Sequence, residues 1–522
     1  MPNRHRIRAT TLAATAAVLV SFPLIGRATA PTAASPPPST LNLSSQTLNW
    51  KDCPAPSASE GGGSAPVPLP TGGRWQCATM RTPLNWNDPK GATIGIALIR
   101  VKASGPPEQR IGSLIFNFGG PGGSGVSTLP SFAPDYTTLG TRYDLVSFDP
   151  RGVGRSAGVI CENDQQLDTY FQQDAVPSTA AEQQSYLNAI RQFNHACEVN
   201  AGRLLPYLRT TDAARDMDLM RQVLGDARLH YFGISYGTEL GGVYAHLFPQ
   251  NVGRMVLDAV VDPTQSPAES ALGQARGFQR ALEDYARNCV AQSAGCPVGS
   301  TAQDVQNRIV ALLKSLDSKP LPGLPPRVLT RTAATSGIAQ ALYSKAFWTY
   351  LTVGLQQAYA GDGKVLMLLA DAMNGRNESG QYNNLMSANV SINCADQRAR
   401  YTVADVKAKL PQFRAASPVF GDFLAWGMLS CTDWPVAGAA AHADVSAPGS
   451  APILVVGNTG DPATPYEGTR RMVQALGPGV AVELTFKGEG HGSYDSGNAC
   501  VQDVVNNYLL HGKVPPAGKV CT

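Results

Sequence analysis

Five short runs dense in apolar and β-branched residues constrain this chain more than any other feature. They are Ser113–Asn117, Tyr143–Phe148, Leu229–Ile234, Arg254–Ala259 and Ile453–Val456, and most are followed closely by Gly, Asp or Pro. They are continuous rather than alternating, which is how strands read when both faces of a parallel sheet are covered. Between them lie helical stretches. Ala213, Met217, Met220 and Leu224 recur at helical spacing, with Thr211 or Asp212 placed to cap the start and Gly225 to end the helix. Strand and helix in alternation predict a doubly wound, mostly parallel α/β sheet. Trp75–Leu84 and Thr93–Val101 add two strands ahead of it, separated by the turn Asn87-Asp88-Pro89-Lys90-Gly91.

The alternation stops between about Pro263 and Ser417. Ala341–Tyr359 and Val365–Met373 are helical in pattern, and Lys319–Arg327 reads as a Pro-rich loop. Strand-like runs return at Ile453. This stretch is expected to be an inserted, mainly helical cap over the C-terminal edge of the sheet, the edge where open α/β sheets bind ligands. The 522 residues then divide into 1–34, 35–73, a first core part 74–262, the cap 263–417 and a second core part 418–522.

Residues 1–34 read as a signal peptide. Arg4, Arg6 and Arg8 precede the apolar run Ala9 to Ile25, and Ala28-Thr29-Ala30 or Thr32-Ala33-Ala34 supplies the cleavage site. Pro31 disfavours the first of these. Pro31 to Thr40 and Ser57 to Gly73 are rich in Pro, Ser or Gly and are expected to be mobile or extended. The formal charge is +3, and residues 1–34 carry four arginines with no acidic residue or lysine, so the mature chain is at 3 − 4 = −1. Such a balance carries no electrostatic footprint for nucleic acid, and no later segment is apolar enough to span a bilayer. The ten cysteines behind a signal peptide indicate disulfides, and pairing of chain neighbours is the simplest arrangement: Cys53–Cys77, Cys161–Cys197, Cys289–Cys296, Cys394–Cys431 and Cys500–Cys521. With no CxxC and no His cluster at ligand spacing, a zinc site is not expected.

Two Gly-x-Ser-x-Gly stretches occur, Gly233-Ile234-Ser235-Tyr236-Gly237 and Gly154-Arg155-Ser156-Ala157-Gly158. The pattern alone is weak in a chain with 52 glycines, so context decides. A nucleophile elbow needs a strand before the serine and a helix after it. Ser235 has both; Ser156 follows an Asp-Pro-Arg-Gly loop and is expected to be structural. A serine hydroxyl needs a base. Of the seven histidines, His491 alone stands between glycines in a loop after a strand-like run, Val482–Phe486. Asp461, after Ile453–Val456, is the carboxylate expected to orient it, and the order Ser, Asp, His is that of α/β-hydrolases. Phe118-Gly119-Gly120-Pro121-Gly122-Gly123-Ser124-Gly125 follows another strand and offers an oxyanion hole. Pro121 has no N–H, so Gly120 is the expected donor, with Tyr236 as the second. The loop lacks the Lys-Ser/Thr ending of a P-loop and the dinucleotide-fold spacing.

These motifs together resemble the secreted tripeptidyl aminopeptidases, which are related to the proline iminopeptidases. The residues that carry the resemblance are Asn117 to Gly125, Asp149 to Ser156, Gly233 to Thr238, Asp461-Pro462-Ala463-Thr464-Pro465 and Gly490-His491-Gly492, and the likeness runs from about Trp75 to the C-terminus. It implies an α/β-hydrolase fold and a serine exopeptidase that removes short peptides from a free N-terminus without metal or cofactor. Two departures stand out. Phe118 replaces the His of the His-Gly-Gly-Pro-Gly of proline iminopeptidases, and Glu239 stands where relatives often have an apolar or aromatic residue. A monomer is expected, acting on peptides with free N-termini. A substrate ammonium requires a facing carboxylate. Glu269, where the chain enters the cap, and Asp396, near Cys394, are the candidates, against the plainer readings of a helix-start glutamate and a loop aspartate. The rival activities are a carboxylesterase with the same triad and a non-catalytic binding protein on a hydrolase scaffold. Ser235 excludes the epoxide hydrolases and dehalogenases of this fold, which use an Asp nucleophile.

Overall fold

In a computed structural model the described residues are 42–522 apart from Thr71 and Ala294. The expected signal segment and the start of the linker therefore lie outside the described residues. In chain order the strands are β1 (Lys51–Asp52), β2 (Gln76–Pro83), β3 (Thr93–Val101), β4 (Gly112–Asn117), β5 (Tyr143–Phe148) and β6 (Leu229–Ile234). They continue with β7 (Val252–Asp258), β8 (Leu321–Pro322), β9 (Val328–Leu329), β10 (Ile453–Gly460), β11 (Ala481–Glu489) and β12 (Lys519–Cys521). Ten of them form one sheet in the order β1-β2-β3-β5-β4-β6-β7-β10-β11-β12. From β5 to β12 every neighbouring pair is parallel, and β1, β2 and β3 join at one edge through antiparallel pairings. This is the mostly parallel, doubly wound sheet of an α/β-hydrolase. Its central strands β4 and β5 are buried along their whole length, as their unbroken apolar runs require.

The order of strands places the functional edge. From β4 the chain moves to β5 on one side and later returns to β6 on the other, so the C-terminal ends of β4 and β6 flank a topological switch point. Connections there diverge to opposite sides and leave a crevice for a ligand.

Between β7 and β10 the chain adds no strand to this sheet. The helices Pro267–Val290, Ala302–Ser318, Arg331–Leu342, Trp348–Tyr359 and Lys364–Asn374 pack around an apolar cluster of their own, with Leu282, Ile309, Ile338, Leu351 and Leu366 fully or nearly fully buried. β8 lies inside the expected Pro-rich loop Lys319–Arg327 and pairs antiparallel with β9 just beyond its end. The helix Leu385–Asp396 behaves differently: Ala388, Ile392 and Cys394 join the core on the sheet. The segment 42–73 is tied to the rest by β1 on β2, by the Cys53–Cys77 disulfide and by a Glu60–Arg155 ion pair. All five disulfides join chain neighbours as expected: Cys53–Cys77, Cys161–Cys197, Cys289–Cys296, Cys394–Cys431 and Cys500–Cys521.

One local expectation needs correcting. The helix predicted from Ala213 to Leu224 spans Thr210–Leu224 and ends at Gly225 in the left-handed region, φ 79°, but neither Thr211 nor Asp212 caps it. The cap comes from far away in sequence. Asp396 accepts hydrogen bonds from Thr210 N at 2.8 Å and Thr210 Oγ1 at 2.6 Å, so a carboxylate sits at the positive end of the helix.

Candidate active site

Ser235 sits between β6 and the helix Tyr236–Leu247 with φ 59° and ψ −127°, a conformation that is strained for a residue with a side chain. Its surroundings hold it there. Ser235 N donates to Asp258 O at 3.1 Å, and Thr238 N and Oγ1 donate back to Ser235 O at 2.8 and 2.7 Å. The flanking glycines leave no room for a side chain. A β-carbon on Gly233 would run into Gly237 O, one on Gly237 into Asn117 O, and one on Gly119 would come within 2.6 Å of Ile234 O and 2.7 Å of Ser235 Cβ. The tight turn thus presses the Ser235 loop against the Gly-rich loop that follows β4.

The carboxylate and imidazole follow β10 and β11, the next parallel strands after β7. His491 Nδ1 lies 2.9 Å from Asp461 Oδ1 and 3.0 Å from Oδ2. A carboxylate only accepts, so Nδ1 carries the proton and Nε2 is left with its lone pair. Asp461 is almost fully buried and is held by Ala463 N at 2.9 Å, Thr464 N at 2.8 Å and Thr464 Oγ1 at 2.9 Å. The loop bearing His491 is fixed from three sides. Its own N–H donates to Tyr343 O at 2.7 Å, and the Tyr343 ring stands edge-on to the imidazole with centroids 5.2 Å apart. Asn458 Nδ2 donates to Gly490 O at 2.7 Å. Asp258 accepts from Ser493 N at 2.9 Å and from Tyr494 N at 2.9 Å. Asp258 therefore touches both ends of the site, through its carbonyl to Ser235 and through its carboxylate to the loop of His491. Burial opposes the charged imidazolium, but the Asp461 carboxylate, its hydrogen bond and the nearby Asp258 charge outweigh it, and His491 is raised above its ordinary value.

For the oxyanion hole, Gly119 N donates to Asn117 Oδ1 at 3.0 Å and is engaged there. Gly120, with φ 113°, is the next N–H along the loop. Tyr236 is the first residue of its helix, where an N–H has no intrahelical acceptor. The other residues singled out from sequence lie as follows. Ser156 is fully buried and its Oγ accepts from Ala97 N at 2.8 Å. Glu269 is exposed, and its carboxylate accepts from Ser266 N at 2.8 Å and Ser266 Oγ at 2.7 Å in the capping box of the helix Pro267–Val290. Asp396 caps Thr210, whose Oγ1 is also 2.5 Å from Tyr236 Oη. Asp396 thus lies beside the helix that starts after Ser235, and Glu269 serves its own helix start. The contacts of Asp258, Asn458 and Tyr343 were not read from the sequence; each joins residues distant in the chain, which no local pattern signals, whereas Thr464 holds Asp461 from three residues away within the Asp461–Pro465 motif. Among the described residues no group of His, Cys, Asp and Glu has the arrangement of a metal site.

Fold and residues together define a serine hydrolase of the α/β-hydrolase fold. The family described as "TAP-like protein" matches residues 417–521. Serine protease Hip1 of Mycobacterium tuberculosis is 37% identical over 462 residues, covering 85% of this chain and 87% of that protein. Carboxylesterase B of the same species is 35% identical over 458 residues, covering 85% and 86%. Tripeptidyl aminopeptidase of Streptomyces lividans is 30% identical over 485 residues, covering 91% and 86%. The chain belongs to the tripeptidyl aminopeptidase family, and it is a serine hydrolase of the peptidase kind. Its five disulfides fit an extracellular or envelope location.

Proposed function

We propose that this protein is a secreted, monomeric serine exopeptidase that releases short peptides, tripeptides foremost, from free N-termini. Ser235 Oγ attacks the scissile carbonyl while His491 Nε2 takes its proton, and Asp461 holds the imidazole and stabilises the imidazolium. The N–H groups of Gly120 and Tyr236 face the developing oxyanion. His491 then protonates the leaving amine, and water, deprotonated by the same imidazole, releases the acyl peptide. The observation that carries this reading is the paired contact of His491 Nδ1 with Asp461 at 2.9 and 3.0 Å, on the segments that follow β10 and β11 of the sheet whose β6 ends at the strained Ser235 elbow. Residues 1–34 would direct export, and the helical stretch 263–417 would cover the catalytic edge, touching it through the carbonyl of Tyr343.

The second reading, a carboxylesterase, is favoured by the 35% identity to carboxylesterase B. The same triad serves both, so the substrate discriminates. Purified protein is given tripeptide anilides and p-nitrophenyl acyl esters. An exopeptidase releases the intact tripeptide and is slowed sharply by N-acetylation. Ester hydrolysis without peptide release would overturn the peptidase reading in favour of the esterase.

A further inference from the structure

One carboxylate at the catalytic edge has no part in the triad. Glu239 lies one helical turn beyond Ser235 and three residues beyond Tyr236 on the helix Tyr236–Leu247. Side chains on a helix lean back toward its N-terminus and over the residues three and four positions earlier, so Glu239 is directed toward the level of Tyr236 and Ser235. Four helical steps are about 6 Å along the axis, and a three-residue acyl chain spans at most about 11 Å. The Glu239 carboxylate is therefore within the reach of a tripeptide whose last carbonyl sits at Ser235.

Its environment is incomplete. Among the described residues neither a hydrogen-bond donor nor a cation acts on the Glu239 carboxyl; burial and the Asp396 carboxylate do, and together they push it up to about 8. Asp396 is itself satisfied by Thr210 N and Oγ1, and Thr210 Oγ1 meets Tyr236 Oη, so the wall beside Glu239 is fixed by hydrogen bonds while Glu239 is not. Glu239 is half-buried, so part of its surface is open to solvent. A buried acid with no partner, next to a second carboxylate, is costly to keep in a folded chain. A cation arriving from solution removes that cost.

We propose that Glu239 is the anionic subsite for a substrate ammonium group, with Asp396 adding negative field behind it. This rests on the peptidase reading and deepens it by assigning the residue that recognises the free amine. A bound ammonium would favour the ionised form of the Glu239 carboxyl, opposing the burial and the Asp396 charge that raise it in the free protein. A lysine side chain in the acyl part of the substrate offers the same chemistry, and the test separates the two.

The mature protein and Glu239→Gln are compared on a free Ala-Ala-Ala anilide and its N-acetylated form, and on free Ala-Ala-Lys and Ala-Ala-norleucine anilides. The wild type should prefer the free over the acetylated tripeptide. Glu239→Gln should reduce that ratio of kcat/KM roughly tenfold to a hundredfold, the loss carried by KM. Glu239→Asp, which keeps the charge, should retain more of the ratio, as a merely structural role would not require. A collapse of the Lys-to-norleucine ratio instead identifies a side-chain ammonium as the ligand of the same subsite. If the wild type discriminates and Glu239→Gln leaves both ratios unchanged, the assignment of Glu239 is wrong. If the wild type cleaves free and acetylated tripeptides equally, the exopeptidase reading itself fails.

Discussion

The two Gly-x-Ser-x-Gly stretches are the same pattern in two physical settings. At Ser235 a strand ends, the serine takes φ 59°, a helix begins, and the flanking glycines let three backbones pass at close range. At Ser156 there is neither strand before nor helix after, the residue is fully buried, and its hydroxyl accepts from Ala97 N to pin the loop to β3. That loop is held as a structural unit. Asp149 accepts from Ser124 Oγ at 2.7 Å, Val126 N at 3.0 Å and Arg155 N at 2.8 Å, and Arg151 makes a fully buried bidentate pair with Asp216 at 2.7 Å. The comparison teaches that glycines around a serine mark close packing of backbone. Whether the hydroxyl is displayed or consumed depends on what the chain does on either side.

The largest expected effect separates the two serines directly. Ser235→Ala should lower kcat by about a million-fold with little change in thermal midpoint, whereas Ser156→Ala should keep most of its activity. Turnover of the preferred substrate and a melting curve for each variant check this. Comparable loss of turnover in both variants with both still folded would break the contrast. The next largest effect belongs to the structural loop. Arg151→Ala leaves Asp216 charged and buried without its partner and should cost about 3–5 kcal/mol in denaturant unfolding. Ser156→Ala removes the acceptor of a buried N–H and should cost about 1–3 kcal/mol.

How far the sequence could be read follows from which signals are local. The strands Tyr143–Phe148 and Leu229–Ile234 stand where their apolar runs predict them. β10 runs on past Val456 to Gly460, because Gly457 and Asn458 have turn-like side chains but still pair with Thr485 and Phe486 of β11. That overlooked extension brings Asn458 under the His491 loop. β7 starts at Val252, ahead of the expected Arg254, since Gly253 there marks close approach of the Leu229 carbonyl and the His230 ring rather than a break. His491 contacts Asp461, and Ser235 stands between a strand and a helix, the local setting from which each was singled out. Asp258 could not be read, because its role exists only once β7 lies between β6 and β10. Glu269 and Asp396 show the opposite limit: an acidic residue at a promising place in the chain also satisfies helix ends, and both do so here.

The smallest predicted effect tests the bridge between the two ends of the site. The Asp258 charge is one cause of the raised value of His491. Asp258→Asn removes it, so the imidazole should lose its proton more readily and the acid limb of kcat/KM should move to lower pH, by less than about one unit. A pH profile in which the limb stays in place or moves upward would show that Asp258 acts only as a structural clamp.

The central claim is that the displayed serine is Ser235. Labelling the purified protein with a fluorophosphonate and mapping the modified peptide tests it most directly. Stoichiometric label is expected on the peptide containing Ser235, with no label in Ser235→Ala and full label in Ser156→Ala. Label on Ser156 or at any other position, or a folded wild-type protein that takes up none, would contradict it.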